Sequence, residues 1–222
     1  MQIFLLRHGA TDWNLQGRCQ GTTDKELNVL GHEQAKNAAA HLSNETIHAV
    51  YSSNLKRAIQ TAHAISQPRN LPVVIEDSLR ELDHGELEGL TFSDIQSHYP
   101  EFIQRWRKEP AELLIPGGER LIDVGNRAWD GMNRIVQRHQ AAETIAVVSH
   151  NFPILAILCR ITQTSLNEYR SFHLNPCEIS RISYEREQGW GIIQIKDNGV
   201  GDQPTRSEFF PSMALPQNLK AR

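Results

Sequence analysis

Two periodicities alternate along the chain. Short apolar runs at 3–6 (IFLL), 47–51, 72–75 and 144–148 read as strands, and the last is uninterrupted, the kind buried on both faces of a sheet. Between them apolar residues recur at helical spacing. Residues 31–42 place Leu30, Ala35, Ala38, Ala39 and Leu42 near one face, and 121–139 carries Leu121, Val124, Ala128, Met132, Ile135 and Val136 on one stripe. A helix over 55–65 is expected to take Ser53 or Asn54 as its cap. Two short helices are predicted over 91–106, the first opened by a Thr91/Asp94 capping box and the second restarted at Pro100. Pro153 opens another, to about 161. Residues 179–184 and 191–196 alternate about a turn at 187–189, as a hairpin or edge strands do. After Asn198 the chain is rich in Gly, Pro and Ser and loses its period.

Strands alternating with helices predict an α/β fold, a three-layer sandwich with a largely parallel central sheet. The 222 residues suffice for one sizeable core, so one domain over 1–222 is expected, with 198–222 as a poorly periodic tail. Hydrophobic residues make up 39% and charged residues 22%, and the formal net charge is −3. No basic face is evident, so neither nucleic acid nor an anionic membrane is expected as a partner. No apolar stretch is long enough to cross a membrane, and with only the short Ile3–Leu6 run and no basic segment before it, a secretory leader is not expected. Cys19, Cys159 and Cys177 are odd in number and form no CxxC pair, which suits a reducing, cytoplasmic setting. The oligomeric state is left open.

In parallel sheets the site lies beyond the carboxyl ends of the strands. The first strand ends in Arg7-His8-Gly9, the second in Ser52-Ser53 with Arg57 shortly after, and the most buried one in Ser149-His150-Asn151. Three strand ends thus bring two arginines and two histidines to one crevice. Two guanidiniums repel unless an anion lies between them, and a dianionic phosphate suits their forked donors. A neutral imidazole can attack phosphorus. The leaving oxygen then needs a proton, and SLRELDHGELEGL supplies Glu81, Asp83, Glu86 and Glu88 as candidates.

The stretches LRHGATDWN, GRCQGTTDKELNVLGHEQA, YSSNLKRAIQTAHAI, LRELDHGELEGL, PGGER and VVSHN resemble, in order and over about the first three quarters of the chain, the histidine phosphatase superfamily, the phosphoglycerate mutase-like proteins. The resemblance implies that His8 becomes phosphohistidine and that Arg7, Arg57 and His150 bind the phosphate. Asn14 would add a hydrogen bond. Glu81 would protonate the leaving group and then activate water, and the carbonyl of Gly9 would fix the tautomer of His8. Glu88 would hold its loop. Residues 91–118 would form a short helical cap, from which Arg107 could face the substrate. Asn151 stands where the family usually has glycine, and its tolerance of left-handed backbone would keep the turn next to the phosphate. The arginines supply the positive charge, so no metal and no cofactor are expected. The expected partner is a small phosphorylated metabolite.

A phosphatase, a cofactor-dependent phosphoglycerate mutase and a non-catalytic phosphate-binding module are the three readings. The intact Arg7, His8, Arg57, Glu81 and His150 place the silent module last. Mutases usually carry a tyrosine and a lysine where this chain has His84 and Phe92, and a longer insertion where it has only 109–115, which favours the phosphatase. Other histidines, such as His41, His63, His98 and His139, read as surface residues. DNGVGD reads as a plain turn, and QRWRKEP as a solvated helix face.

Overall fold

The chain runs β1 (Gln2–Arg7), α1 (Asp12–Leu15), α2 (Val29–His41), β2 (Ala49–Ser52), α3 (Lys56–Ser66), β3 (Val73–Ile75), α4 (Phe92–His98), α5 (Pro100–Lys108), α6 (Leu121–Gln137), β4 (Thr144–Ser149), α7 (Asn151–Ile161), β5 (Ile179–Glu185) and β6 (Gly189–Asp197). This computed structural model describes residues 1–197. The strands form one sheet of order β3-β2-β4-β1-β5-β6. The first four of that order are parallel, and β5 and β6 are antiparallel.

Register decides where the chemistry lands. Arg7 lies opposite Ser149, and Ser52 opposite Val148. The residues that follow, His8, Ser53 and His150, therefore leave three neighbouring strands at the same end of the sheet. Side chains alternate between the two faces. Ile3, Leu5, Ile145 and Val147 pack with the buried stripe of α6 and with α7. Phe4, Leu6, Ala146 and Val148 pack with Ala35 and Ala38 of α2 and Ala58, Ala62 and Ile65 of α3. Both faces are covered, which gives three layers and explains why these strands read as continuous apolar runs.

α4 and α5 form a small helical insertion between β3 and α6. The Thr91/Asp94 capping box is present, and Pro100 opens α5. QRWRKEP is not wholly a solvated face. Trp106 is fully buried, its indole N–H donating to the Tyr169 hydroxyl at 3.2 Å, while Arg105, Arg107 and Lys108 remain outside.

Local departures have local causes. Ser53 does not cap α3; Leu55 is the N-cap, and the Lys56 N–H is taken by Asp24 Oδ1 at 2.7 Å, from a distant loop. α7 starts at Asn151, two residues before Pro153. The turn after His150 needs no left-handed residue, because among the described residues the non-glycine residues with positive φ are Asn70, Gln163 and Cys177. The short α1 escapes a hydrophobic pattern, since it buries nothing and rests on its Thr11/Asn14 capping box. His139 is half-buried, not a surface residue: it bonds Tyr51 at 2.8 Å and Glu143 at 2.7 Å. The cysteines are free and buried. DNGVGD falls, apart from Asp197, outside the described residues. Among those described, no helix is long and apolar enough to cross a membrane.

Candidate active site

Beyond β1 the chain turns against α2 so closely that side chains are excluded. A Cβ on Gly9 would lie 2.5 Å from the Gly31 carbonyl, and one on Gly31 would lie 2.0 Å from that of Ala10. The Gly9 N–H donates to Thr61 Oγ1 at 3.0 Å and the Ala10 N–H to Gln34 Oε1 at 2.8 Å. Helices α2 and α3 thus fix the loop. Within it, His8 Nδ1 donates to the Gly9 carbonyl at 2.7 Å, which leaves the lone pair on Nε2. Burial, then Arg57 and Arg7, push the imidazole pKa well below its ordinary value, so His8 is neutral near pH 7.

Arg57, in the first turn of α3, is fully buried and spends donors on the carbonyls of Thr23 (3.0 Å) and Gly21 (2.7 Å). Its Nε–H is shared between His8 Nε2 at 3.2 Å and the Gln20 amide oxygen at 2.8 Å. The Gln20 amide nitrogen donates in turn to Thr11 Oγ1 at 2.6 Å, and Thr11 to Asn14 Oδ1 at 3.0 Å. Asn14 is therefore tied to Arg57 through two side chains, and its own amide N–H groups are unused among the described residues. Burial draws the Arg57 pKa down to about 10, which still leaves a cation at neutral pH. Arg7 donates to the Leu174 carbonyl at 2.5 Å, and its Nε is buried with no partner among the described residues.

The His8 and His150 rings stand 5.0 Å apart. His150 Nε2 lies 2.6 Å from Ser53 Oγ, and Nδ1 is buried without a partner. Burial first, then Arg57, His8, Arg127 and Arg7, hold its pKa well below the ordinary value. Two buried nitrogens without hydrogen-bond partners among the described residues, Arg7 Nε and His150 Nδ1, lie in the same group as a neutral His8 and a charged Arg57, an arrangement that can accept an anion.

Glu81, in the loop that follows β3, is buried against the first turn of α7. Its Oε1 accepts from the N–H groups of Leu82 (2.9 Å) and Phe152 (3.2 Å), and Oε2 from that of Asn151 (3.1 Å). Burial raises its pKa, against the pull of those N–H groups and of Arg57 and Arg7. Its rivals are engaged elsewhere. Asp83 accepts from the Gly85 N–H at 2.9 Å, exposed Glu86 accepts from Tyr99 at 3.1 Å, and Glu88 holds the N–H groups of Thr22 (2.6 Å) and Thr23 (2.8 Å). Arg107 lies exposed on α5, and among the described residues no hydrogen bond or ion pair joins it to this group. Asn151 contributes its backbone N–H to Glu81.

Arg127 gave no sign in the sequence, where α6 was legible only through its apolar stripe. It grips Glu119 with Nε at 2.8 Å and a second nitrogen at 3.0 Å. It also donates to the carbonyls of Ser78 (2.7 Å), Arg80 (2.6 Å) and Glu81 (2.8 Å), and so fixes the backbone that carries Glu81. The only available pointer was Glu119 inside PGGER. His84 is buried beside Phe152, its ring 5.4 Å away, and burial pulls its pKa down to about 4. Among the described residues, no three of His, Cys, Asp and Glu gather as a metal ion would require.

The family model described as the histidine phosphatase superfamily (branch 1) matches residues 3–198. Phosphoserine phosphatase 1 of Hydrogenobacter thermophilus is 36% identical over 188 residues, spanning 85% of this chain and 89% of that one. A protein named probable phosphoglycerate mutase GpmB from Proteus mirabilis is 30% identical over 205 residues, 89% of this chain and 93% of its own length. Among solved structures, a mycobacterial glucosyl-3-phosphoglycerate phosphatase, determined with VO3, superimposes with a TM-score of 0.80 at 27% identity, over 88% of this chain and 98% of that one.

Proposed function

Because the chain belongs to the histidine phosphatase superfamily (branch 1) and is a phosphatase of that family, we propose that it hydrolyses small phosphomonoesters through a phosphohistidine on His8. The observation that carries this reading is the pairing of a neutral His8, its Nε2 left unprotonated by the 2.7 Å bond from Nδ1–H to the Gly9 carbonyl, with a buried Glu81 whose pKa is raised.

In the first step Nε2 attacks phosphorus, the P–O bond to the leaving group breaks, and Glu81 gives its proton to the departing oxygen. Arg7, Arg57 and His150 donate to the three other phosphoryl oxygens as charge grows on them, and Asn14 adds a donor. In the second step the Glu81 carboxylate takes a proton from water, whose oxygen attacks phosphorus. The P–N bond breaks, orthophosphate leaves, and His8 and Glu81 return to their starting states. Helices α4 and α5, within residues 91–118, act as the cap, with Arg107 as the contact that tunes the choice of leaving group.

The similarity to a phosphoserine phosphatase makes O-phosphoserine the first substrate to test, within a class of small phosphorylated metabolites. The relative named as a phosphoglycerate mutase supports a second reading, in which the phosphoryl group returns to an acceptor alcohol. A turnover assay with O-phosphoserine and phosphoglycerates, with and without 2,3-bisphosphoglycerate and with and without a chelator, separates the two. Orthophosphate release that needs neither additive nor metal supports the phosphatase. Isomerisation of phosphoglycerate that depends on the bisphosphate would favour the mutase.

A further inference from the structure

We propose that Ser53 sets the tautomer of His150: its hydroxyl donates to Nε2, so the ring carries its proton on Nδ1 and offers that N–H to the phosphate. Ser53 is then a positioning residue, and the inference rests on the reading that His150 binds the phosphoryl group.

Ser53 and His150 are the first residues past two neighbouring parallel strands. The Ser53 N–H donates to the Val148 carbonyl at 3.1 Å, which anchors it beside the end of β4. Its Oγ lies 2.6 Å from His150 Nε2, and both residues are fully buried. The Leu55 N–H donates to the same Oγ at 3.3 Å. His150 has no second partner among the described residues, for its Nδ1 is buried and unbonded.

Two arrangements of one proton compete. If His150 Nε2 carried it, Ser53 Oγ would accept twice, from Leu55 and from His150. The serine's own proton would then have no acceptor, and the Nδ1 lone pair would lie bare beside the anion. If Ser53 donates to Nε2, its proton is used, its oxygen still accepts from Leu55, and only the Nδ1–H awaits a partner, which a phosphoryl oxygen supplies. The second arrangement leaves fewer buried polar groups unsatisfied and gives the anion a donor in place of a lone pair. The count holds for a neutral ring. Burial together with Arg57, Arg127 and Arg7 keeps the ring neutral, and among the described residues no carboxylate bonds to it to favour the doubly protonated form.

The decisive experiment is nitrogen-15 imidazole spectroscopy on the histidine-labelled full-length enzyme, with His150 assigned by the signals lost in His150→Asn. Wild-type His150 is expected to show Nδ1 protonated and Nε2 as a bare acceptor. The reverse assignment overturns the proposal without any variant needing to fold. Ser53→Ala should abolish the preference and weaken binding of inorganic phosphate about tenfold, while Ser53→Thr keeps both. A preference unchanged in a folded Ser53→Ala protein also overturns it. An Nδ1–H tautomer that depends on Ser53 but does not respond to saturating phosphate would uphold the pairing and overturn the phosphate-binding reading of His150.

Discussion

Arg57 Nε stands 3.2 Å from His8 Nε2, so the nitrogen proposed to attack phosphorus is already held by the cation proposed to bind it. The pairing has two effects. It orients the ring, which the Gly9 carbonyl grips from the other side at 2.7 Å. It also keeps the ring unprotonated, because a cation so close opposes a second one.

Replacing Arg57 with alanine should cost on the order of 10²-fold in turnover, since a charge-assisted donor leaves a dry site. It also removes a cause of the low His8 pKa. The acid limb of the rate profile, where the nucleophile is lost to protonation, should therefore move to higher pH. A full pH–rate profile checks both, and an unchanged acid limb would separate Arg57 from His8.

Glu81→Gln keeps the shape of the side chain and removes its proton. An alkyl alkoxide leaves poorly without a proton, whereas a nitrophenolate needs little help. Alkyl phosphate turnover should collapse, and nitrophenyl phosphate should give a burst followed by a weak steady state, because water attack on the phosphoenzyme still lacks its base. Equal losses for both substrates, with no burst, would move the role to another carboxyl.

Stability should fall as the pH drops below about 6.5. There the unfolded chain protonates its histidines, whereas folded His84 stays neutral down to about pH 4, and His8 and His150 shift in the same direction. Native pKa values lie below the unfolded ones, so the fold binds fewer protons and loses stability on acidification. The slope is about 1.4 kcal/mol per pH unit for each histidine neutral in the fold and charged outside it. Glu81, shifted upward, works in the opposite direction. Urea midpoints between pH 7 and pH 5 should show a shallower slope for His84→Phe than for wild type. Matching slopes would mean that His84 is not held neutral.

Gly31→Ala should destabilise the protein, although alanine usually gains about 1 kcal/mol over glycine inside a helix. The added Cβ would meet the Ala10 carbonyl at 2.0 Å, so α2 or the loop carrying His8 must shift. Turnover should fall together with the melting temperature. A rise in melting temperature would show that the contact relaxes without cost.

The fold and the convergence of strand ends were legible because they follow from apolar periodicity and one topological rule. Phe4 and Leu6 face one layer and Ile3 and Leu5 the other, which an uninterrupted run announces. Residues whose work is done through the backbone of a distant segment were not legible. Arg127 acts on carbonyls near position 80 from a helix some forty residues later, and no local spacing encodes that. Ser53 looked like a helix cap because serine before a helix usually is one; Asp24 took the Lys56 N–H instead. Asn151 looked like a backbone compromise, yet its negative φ asks nothing special of its side chain.

The proposed mechanism turns on the covalent step on His8. The direct measurement is rapid acid-free quenching of the enzyme with phosphorus-labelled O-phosphoserine or nitrophenyl phosphate, followed by mapping of the labelled peptide. Glu81→Gln serves to accumulate the intermediate. Label is expected on His8, stable in base and lost in acid, and none in His8→Ala. Label on a serine or cysteine, or undiminished turnover by His8→Ala, would contradict it.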